Sequence, residues 1–577
     1  MTHLSQWLTA AGLVLMSTAP SCTGSAVTDP AFHDTPVVSG LDAPGALKFT
    51  ADGGFFVAQK SGIIFFYRSL NDADPVTVVD LRAQVMSFWD RGIMSLEIHP
   101  NFPAVPKLWV LYTHDAPIGG AAPVYHDNDN RPLGAASARL SSLSLAPTGT
   151  GGWISTHERV LIEDWCQVFP SHSVGDVKFG PDGALYVSAG DAASFGEIDT
   201  GQFENFCGDP ADEGGAIRSQ DAFTPGDSQT LDGTLIRVDP DTGAALPDNP
   251  RAALPDENAR RVISYGFRNP YRFTFMPGTS QIFVGDVGWN TWEMLKHIPD
   301  PLQVNNFGWP CYEGNEVHDL YSSNPLCQAL YATAAAEPAT WTPPYYQYRH
   351  NEESGGTSPC GGGGAAVTGV AFYTGDRYPS EYRNALFLAD YGRNCIWALP
   401  PSAEGGMPNA AAPRAFTFDA HGPTDLQMGP GGDLYYLSIN EGTIRRITYG
   451  LALPDEEPEN PDPRAPLPTI LEPTNETLVA GAGTSVLFAG TATDADGAAL
   501  PDSALTWNII IHHCNDLDAT DCHSHGMLEL DGQAGGSFLM PRDHEAPSYV
   551  RIKLTARWVE AGEIHTGFTS RTVTYAN

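Results

Sequence analysis

The sequence predicts an all-β protein: a six-bladed β-propeller followed by an immunoglobulin-like β-sandwich. Three observations predict it. An apolar strand, a turn rich in Gly, Pro or Asp, and a second apolar strand recur six times, first from Leu47 and last from Leu426. Glycine (59) and proline (47) are abundant and dispersed, as many short strands joined by turns require, and long helical patterns are absent. A Pro- and acid-rich stretch, "LALPDEEPENPDPRAPLP", then separates these repeats from a shorter series of alternating strands.

Residues 1–22 read as a signal peptide. The run from Trp7 to Met16 is mostly apolar, too short to span a bilayer, and followed by small residues. Cys22 resembles the cleavage cysteine of a lipoprotein. The chain is therefore expected to be exported: periplasmic, outer-membrane-anchored or extracellular, touching a membrane only through a lipid on Cys22. Residues 23–35 read as a linker and 36–450 as the propeller. Its six hairpins are "LKFTADGGFFVAQ", "LEIHPNFPAVPKLWVLY", "VKFGPDGALYVSAGD", "FTFMPGTSQIFVGD", "VAFYTGDRYPSEYRNALFLADY" and "LQMGPGGDLYYLS". Their unequal spacing excludes a tight solenoid and suits blades with unequal loops; an array of β-sandwiches is the other fold open to them. Residues 451–467 read as a second linker and 468–577 as the immunoglobulin-like sandwich.

A formal net charge of -37 repels nucleic acid and anionic membranes and suits solubility in salt or attraction of cations. Apart from Cys22, eight cysteines remain, an even number in an exported chain. Neighbour pairing gives 166–207, 311–327, 360–395 and 514–522. None lies in a C-x-x-C, which argues against zinc ribbons and thioredoxin chemistry.

Four stretches could carry chemistry. In "HSVGDVKFGPDGALYVSAGD", His172 precedes a hairpin and Asp191 follows its second strand, so the two should be neighbours. A carboxylate beside an imidazole fixes its tautomer and raises its basicity, as a general base needs; a capped turn beside a loop histidine has the same spacing. In "YGFRNPYRF", Pro270 holds Asn269 extended and frees Arg268 to face an anionic cofactor or an oxyanion, or to make a surface salt bridge. In "GDVGWNTWEML", Gly285 and Gly288 let carbonyls turn toward a cation, or simply form a turn. In "HHCNDLDATDCHSH", His512, His513, His523 and His525 crowd two cysteines, favouring a disulfide loop over a zinc or copper site. No G-x-S-x-G, P-loop, H-E-x-x-H or EF-hand occurs.

In order, "DRGIMSLEIHPNF", the His172 stretch, "LDGTLIRVDPDTG", "YGFRNPYRF", "GDVGWNTWEML", "NNFGWPCYEG", "LFLADY" and "GTIRRITY" resemble the soluble glucose/sorbosone dehydrogenases, which use pyrroloquinoline quinone (PQQ). The resemblance covers roughly residues 36 to 450 and leaves the C-terminal sandwich outside. It implies PQQ over the propeller channel, His172 as general base assisted by Asp191, and Arg268 and Asn269 in the channel. It also implies Ca²⁺ held partly by the backbone carbonyls of Gly288 and Trp289. One departure accompanies it. The family's last-blade arginines, which pair with PQQ carboxylates, are replaced in "GPTDLQMGP" by Thr424 before Asp425, and Arg393 is the nearest cation to the place of a family lysine. The function expected is oxidation of an aldose or related sugar, with Arg268 stabilising charge and electrons passing to an external acceptor. The alternatives are a non-enzymatic propeller binding carbohydrate or protein, and a calcium-dependent lactonase-like hydrolase.

Overall fold

The computed structural model describes residues 26–27, 32–449 and 464–575. Within these, residues 73, 126–135, 204–205, 225, 227, 351, 353–359, 361–364, 403–405, 419, 465, 475–476, 515–521, 542–547 and 561–562 are not described. The chain divides into two compact units, Ser25–Ala452 and one that includes Leu453–Asn577.

The first unit is the six-bladed propeller. Each hairpin read from the sequence forms the two inner, antiparallel strands of one sheet, and the innermost strands are Pro44–Phe49, Ile93–Ile98, Val174–Phe179, Pro270–Phe275, Val367–Phe372 and Pro423–Met428. Each packs beside the next, and the sixth returns to the first, closing a ring. A sheet with two apolar faces must bury both, and here each seam between blades holds its own apolar cluster.

Closure is where the N-terminal boundary differs from expectation. Residues 23–35 are not wholly a linker. Phe32–Val38 pairs antiparallel with Thr443–Tyr449 as the outer strand of the last blade, and Ala26–Val27 pairs with Arg414–Phe418 of the blade before. Without them both blades would show unpaired outer edges. Asp34 in that strand accepts from Arg445 Nε at 2.9 Å and Tyr436 Oη at 2.5 Å.

The ring's centre is plugged by Arg272. This buried guanidinium donates to the carbonyls of Gly45 (2.7 Å), Met94 (2.9 Å) and Gly175 (3.3 Å), one from each of three innermost strands. It lies 3.7 Å from Asp425 of the sixth blade. Gly175 is required there, because a Cβ would sit 2.3 Å from the Pro270 carbonyl.

Three expected disulfides are formed: Cys166–Cys207, Cys311–Cys327 and Cys360–Cys395. The second unit contains a three-stranded and a five-stranded sheet that share one apolar core around Trp507, Phe488, Ile552 and Val573. The strands Leu505–Cys514 and Cys522–Asp531 pair so that Cys514 opposes Cys522 and His513 opposes His523. The side chains of this histidine and cysteine group lie outside the described ones, as does Cys22. No helix among the described residues is long and apolar enough to cross a membrane.

Candidate active site

The site lies at one end of the propeller, where connections enter innermost strands and second strands leave. His172 stands two residues ahead of Val174–Phe179, and Asp191 two residues beyond Leu185–Ala189. The hairpin returns them to contact: His172 Nδ1 lies 2.7 Å from Asp191 Oδ1, both buried. Gly190 permits this approach, since a Cβ there would meet the His172 carbonyl at 2.3 Å. His172 takes left-handed backbone (φ 52°), a conformation a non-glycine residue seldom adopts. The geometry holds it: its N–H donates to Asp90 Oδ2 (3.1 Å) and its carbonyl accepts from Ala192 N–H (3.1 Å).

Both Asp191 oxygens are engaged. Oδ1 also accepts from Ala193 N–H at 2.9 Å, and Oδ2 accepts from Trp309 Nε1 at 2.7 Å. Burial pushes this carboxyl up, but the His172 imidazole, its hydrogen bond and Arg268 outweigh that and hold it below the ordinary carboxylate value. An ionised Asp191 at Nδ1 keeps the proton on that nitrogen and leaves Nε2 as the lone-pair nitrogen, the state of a base. Nε2 has no partner among the described residues.

Arg268 joins the same cluster. Its carbonyl accepts from Asp191 N–H at 2.9 Å, and its guanidinium lies 5.5 Å from the centre of the Trp309 ring. The backbone N–H groups of Arg268 and Asn269 donate to Asp286 Oδ1 at 3.1 and 2.8 Å. Burial still pushes the Asp286 carboxyl up to about 6. The loop that follows is bound by one carboxylate. Glu313 Oε1 accepts N–H groups from Trp289, Asn290, Thr291 and Trp292, at 2.9 to 3.2 Å. Burial raises this carboxyl, but those donors pull it below its ordinary value.

The expected calcium position is altered by this arrangement. The Gly288 carbonyl accepts from Arg268 Nη1 at 2.6 Å and the Val287 carbonyl from the same nitrogen at 3.2 Å. A guanidinium already supplies the positive charge that these carbonyls face, so a calcium ion at Gly288 does not fit without displacing it. Among the described residues no three His, Cys, Asp or Glu side chains converge as a metal site.

Arg393 is held apart from this cluster. It donates through Nη2 to the carbonyls of Arg349, His350 (3.3 Å) and Glu352 (3.0 Å), and lies 5.0 Å from the Tyr348 ring centre. Its Nε and Nη1 are buried without a partner among the described residues, the kind of donor pair an anionic carboxylate takes. The link back toward the loop runs through His350 Nε2, 2.8 Å from Glu293 Oε1, whose carboxyl burial pushes up to about 7. Glu293 Oε1 in turn accepts from Gly288 N–H at 3.3 Å. Thr424 has a buried hydroxyl without a partner among the described residues. Its neighbour Asp425 faces the channel arginine.

Sequence reasoning missed Trp309, Glu313 and Asp90. Trp309 and Glu313 stand within "NNFGWPCYEG" and Asp90 opens "DRGIMSLEIHPNF", but neither stretch carries a spacing that names its partner.

Fold and site together define a closed six-bladed β-propeller with a buried histidine–aspartate pair at its mouth. A family model described as Glucose / Sorbosone dehydrogenase matches residues 41–446, and the chain belongs to that family. Among curated proteins it is 26% identical over 281 residues to the HIPL2 protein of Arabidopsis thaliana, covering 46% of this chain and 34% of that one. It is 25% identical over 223 residues to Aldose sugar dehydrogenase YliI of Escherichia coli K12, covering 37% and 50%. It is 28% identical over 161 residues to human Hedgehog-interacting protein, covering 27% and 21%. The chain thus spans about a third of the length of the first of these. Among solved structures, the PQQ-bound aldose sugar dehydrogenase of Streptomyces coelicolor aligns with TM-score 0.50 at 18% identity, covering 74% of this chain and 99% of that one. A glucose dehydrogenase aligns with TM-score 0.52 at 20% identity, covering 73% and 100%. These likenesses establish the fold.

Proposed function

We propose that the propeller unit is an exported PQQ-dependent dehydrogenase of an aldose or related sugar, with His172 as its general base. The observation that carries this reading is the buried His172–Asp191–Trp309 chain, with Arg268 bonded to the Asp191 backbone. Asp191 keeps Nε2 of His172 free to take the hydroxyl proton of a sugar. Trp309 fixes the second carboxylate oxygen, so the imidazole plane is set before substrate arrives. Arg268 and Asn269 border the reacting region, and Arg393, with two buried unpartnered donors, is the residue fitted to a cofactor carboxylate. PQQ, when bound, supplies the two-electron acceptor, and an external acceptor then takes the electrons. No step is assigned to calcium, because Arg268 occupies the Gly288 carbonyl, one of the two that would bind it. The three disulfides support export, and a lipid on Cys22 is the proposed anchor.

The test is reconstitution with PQQ followed by dye reduction across an aldose panel. Activity that requires PQQ and disappears in His172→Ala supports the reading; absence of PQQ binding by calorimetry sinks it. The second reading, a propeller that binds carbohydrate or protein without oxidising it, is favoured by the sparse cations. Arg268 and Arg393 both spend nitrogens on backbone carbonyls, and no arginine stands at Thr424.

A further inference from the structure

The two segments that build the His172–Asp191 pair also carry an exposed aromatic pair. Trp89 precedes Asp90, the residue that accepts the His172 N–H, and Phe195 lies four residues beyond Asp191. Their ring centres are 5.1 Å apart at an interplanar angle of 61°, and Phe88 stacks on Trp89 at 5.8 Å. Both rings are about half exposed, Trp89 at 51% and Phe195 at 49%. Unlike a singly exposed ring, Phe88, Trp89 and Phe195 touch one another and make a small contiguous aromatic patch.

Trp89 is also held in place. Its backbone is left-handed (φ 52°), an outlier for so bulky a residue, and its carbonyl accepts from Lys60 Nζ. Lys60 is partly buried, and burial lowers its pKa against the opposing pull of Asp90. The Asp90 carboxylate spends Oδ2 on His172 N–H, while Oδ1 has no partner among the described residues.

We infer that Trp89 and Phe195 form a stacking platform for a neutral pyranose, with Asp90 Oδ1 accepting from one of its hydroxyls. This rests on the sugar-oxidising reading and names the residues that select its substrate. An aromatic face suits the C–H side of a pyranose, a carboxylate oxygen suits its hydroxyls, and Trp89 adjoins the very aspartate that holds the His172 backbone. The net charge of -37 disfavours anionic sugars.

The test uses the full chain, with glucose, maltose, cellobiose and glucuronate as probes. Binding is read without cofactor by tryptophan fluorescence and saturation-transfer NMR, and turnover separately by PQQ-dependent dye reduction. Trp89→Ala and Phe195→Ala should each weaken neutral-sugar binding and raise KM about tenfold, with kcat changed less than about threefold and Tm preserved. Trp89→Phe should restore most of the loss, and glucuronate should bind least. Affinity and KM within about twofold of wild type in both alanine variants overturn the platform, as does failure of every probe to bind. Trp89-dependent sugar binding without dye reduction keeps the platform and removes the oxidation reading. Dye reduction indifferent to both variants does the reverse.

Discussion

The two sides of the propeller mouth are built on different terms. On the His172 side, side chains satisfy one another: imidazole to Asp191, Asp191 to Trp309, with Asp90 receiving the histidine backbone. On the side of the Gly288 loop and Arg393, cationic side chains satisfy the backbone: Arg268 takes the carbonyls of residues 287 and 288, and Arg393 those of residues 349, 350 and 352. The first pattern orients a titratable group. The second ties down loops, and of these two arginines it is Arg393 that keeps buried guanidinium donors unpartnered among the described residues. The contrast sets a histidine held by side chains against cations largely committed to the backbone.

Four experiments would break or sharpen that contrast. The largest effect belongs to His172→Ala, which should lower PQQ-dependent turnover by about 100-fold or more, the usual contribution of a positioned base. Turnover that survives this change would remove the first half of the comparison. Next, Asp191→Ala should cost about 3–5 kcal/mol in denaturant unfolding, because it leaves His172 and Trp309 buried without their acceptor. Asp191→Asn should keep more of the stability yet still lose activity, by releasing the histidine tautomer.

The third concerns Asp286, which receives the N–H groups that begin the Arg268 segment. Its carboxyl lies near 6 in the folded chain against 3.8 ordinarily, so the folded state holds the proton more tightly. This group's stabilising contribution is complete below about pH 4, falls as pH rises toward 6, and is gone above. Asp286→Asn keeps an acceptor for both N–H groups and removes that decline. Across this window its stability relative to the parent should rise by up to about 3 kcal/mol, measured by unfolding at a series of pH values. The smallest effect is calcium. Millimolar Ca²⁺ should leave the parent Tm within about 1 °C, whereas Arg268→Gln, which frees the two carbonyls of their cation, should gain a calcium-dependent rise of a few degrees. A large calcium shift in the parent would mean that the ion displaces Arg268.

Legibility in the sequence followed the range of the interaction. The strand-turn-strand pattern is local, so each of the six hairpins found its place as the inner pair of one blade. Asp191 and His172 close the same hairpin, and their contact could be read from its length. Cys166 with Cys207, Cys311 with Cys327 and Cys360 with Cys395 were reachable because neighbouring blades and loops keep near residues near. Trp309 was not reachable: it lies 118 positions from Asp191, in a segment whose composition names no partner. Thr424 shows a substitution whose meaning depends on what surrounds it.

By itself the sequence determined the blade count, the hairpins, the acidic surface and the residues that could serve as base and cation. Those follow from periodicity, composition and short loops, which the chain carries locally. The tertiary structure alone decided what each functional group spends its bonds on. Only ring closure brings Phe32–Val38 onto the last blade and Arg272 onto three other blades, while Arg268 meets the Gly288 carbonyl across the ends of its own hairpin. A guanidinium can meet a carboxylate or a carbonyl equally well, and which one it meets depends on what the fold puts within 3 Å.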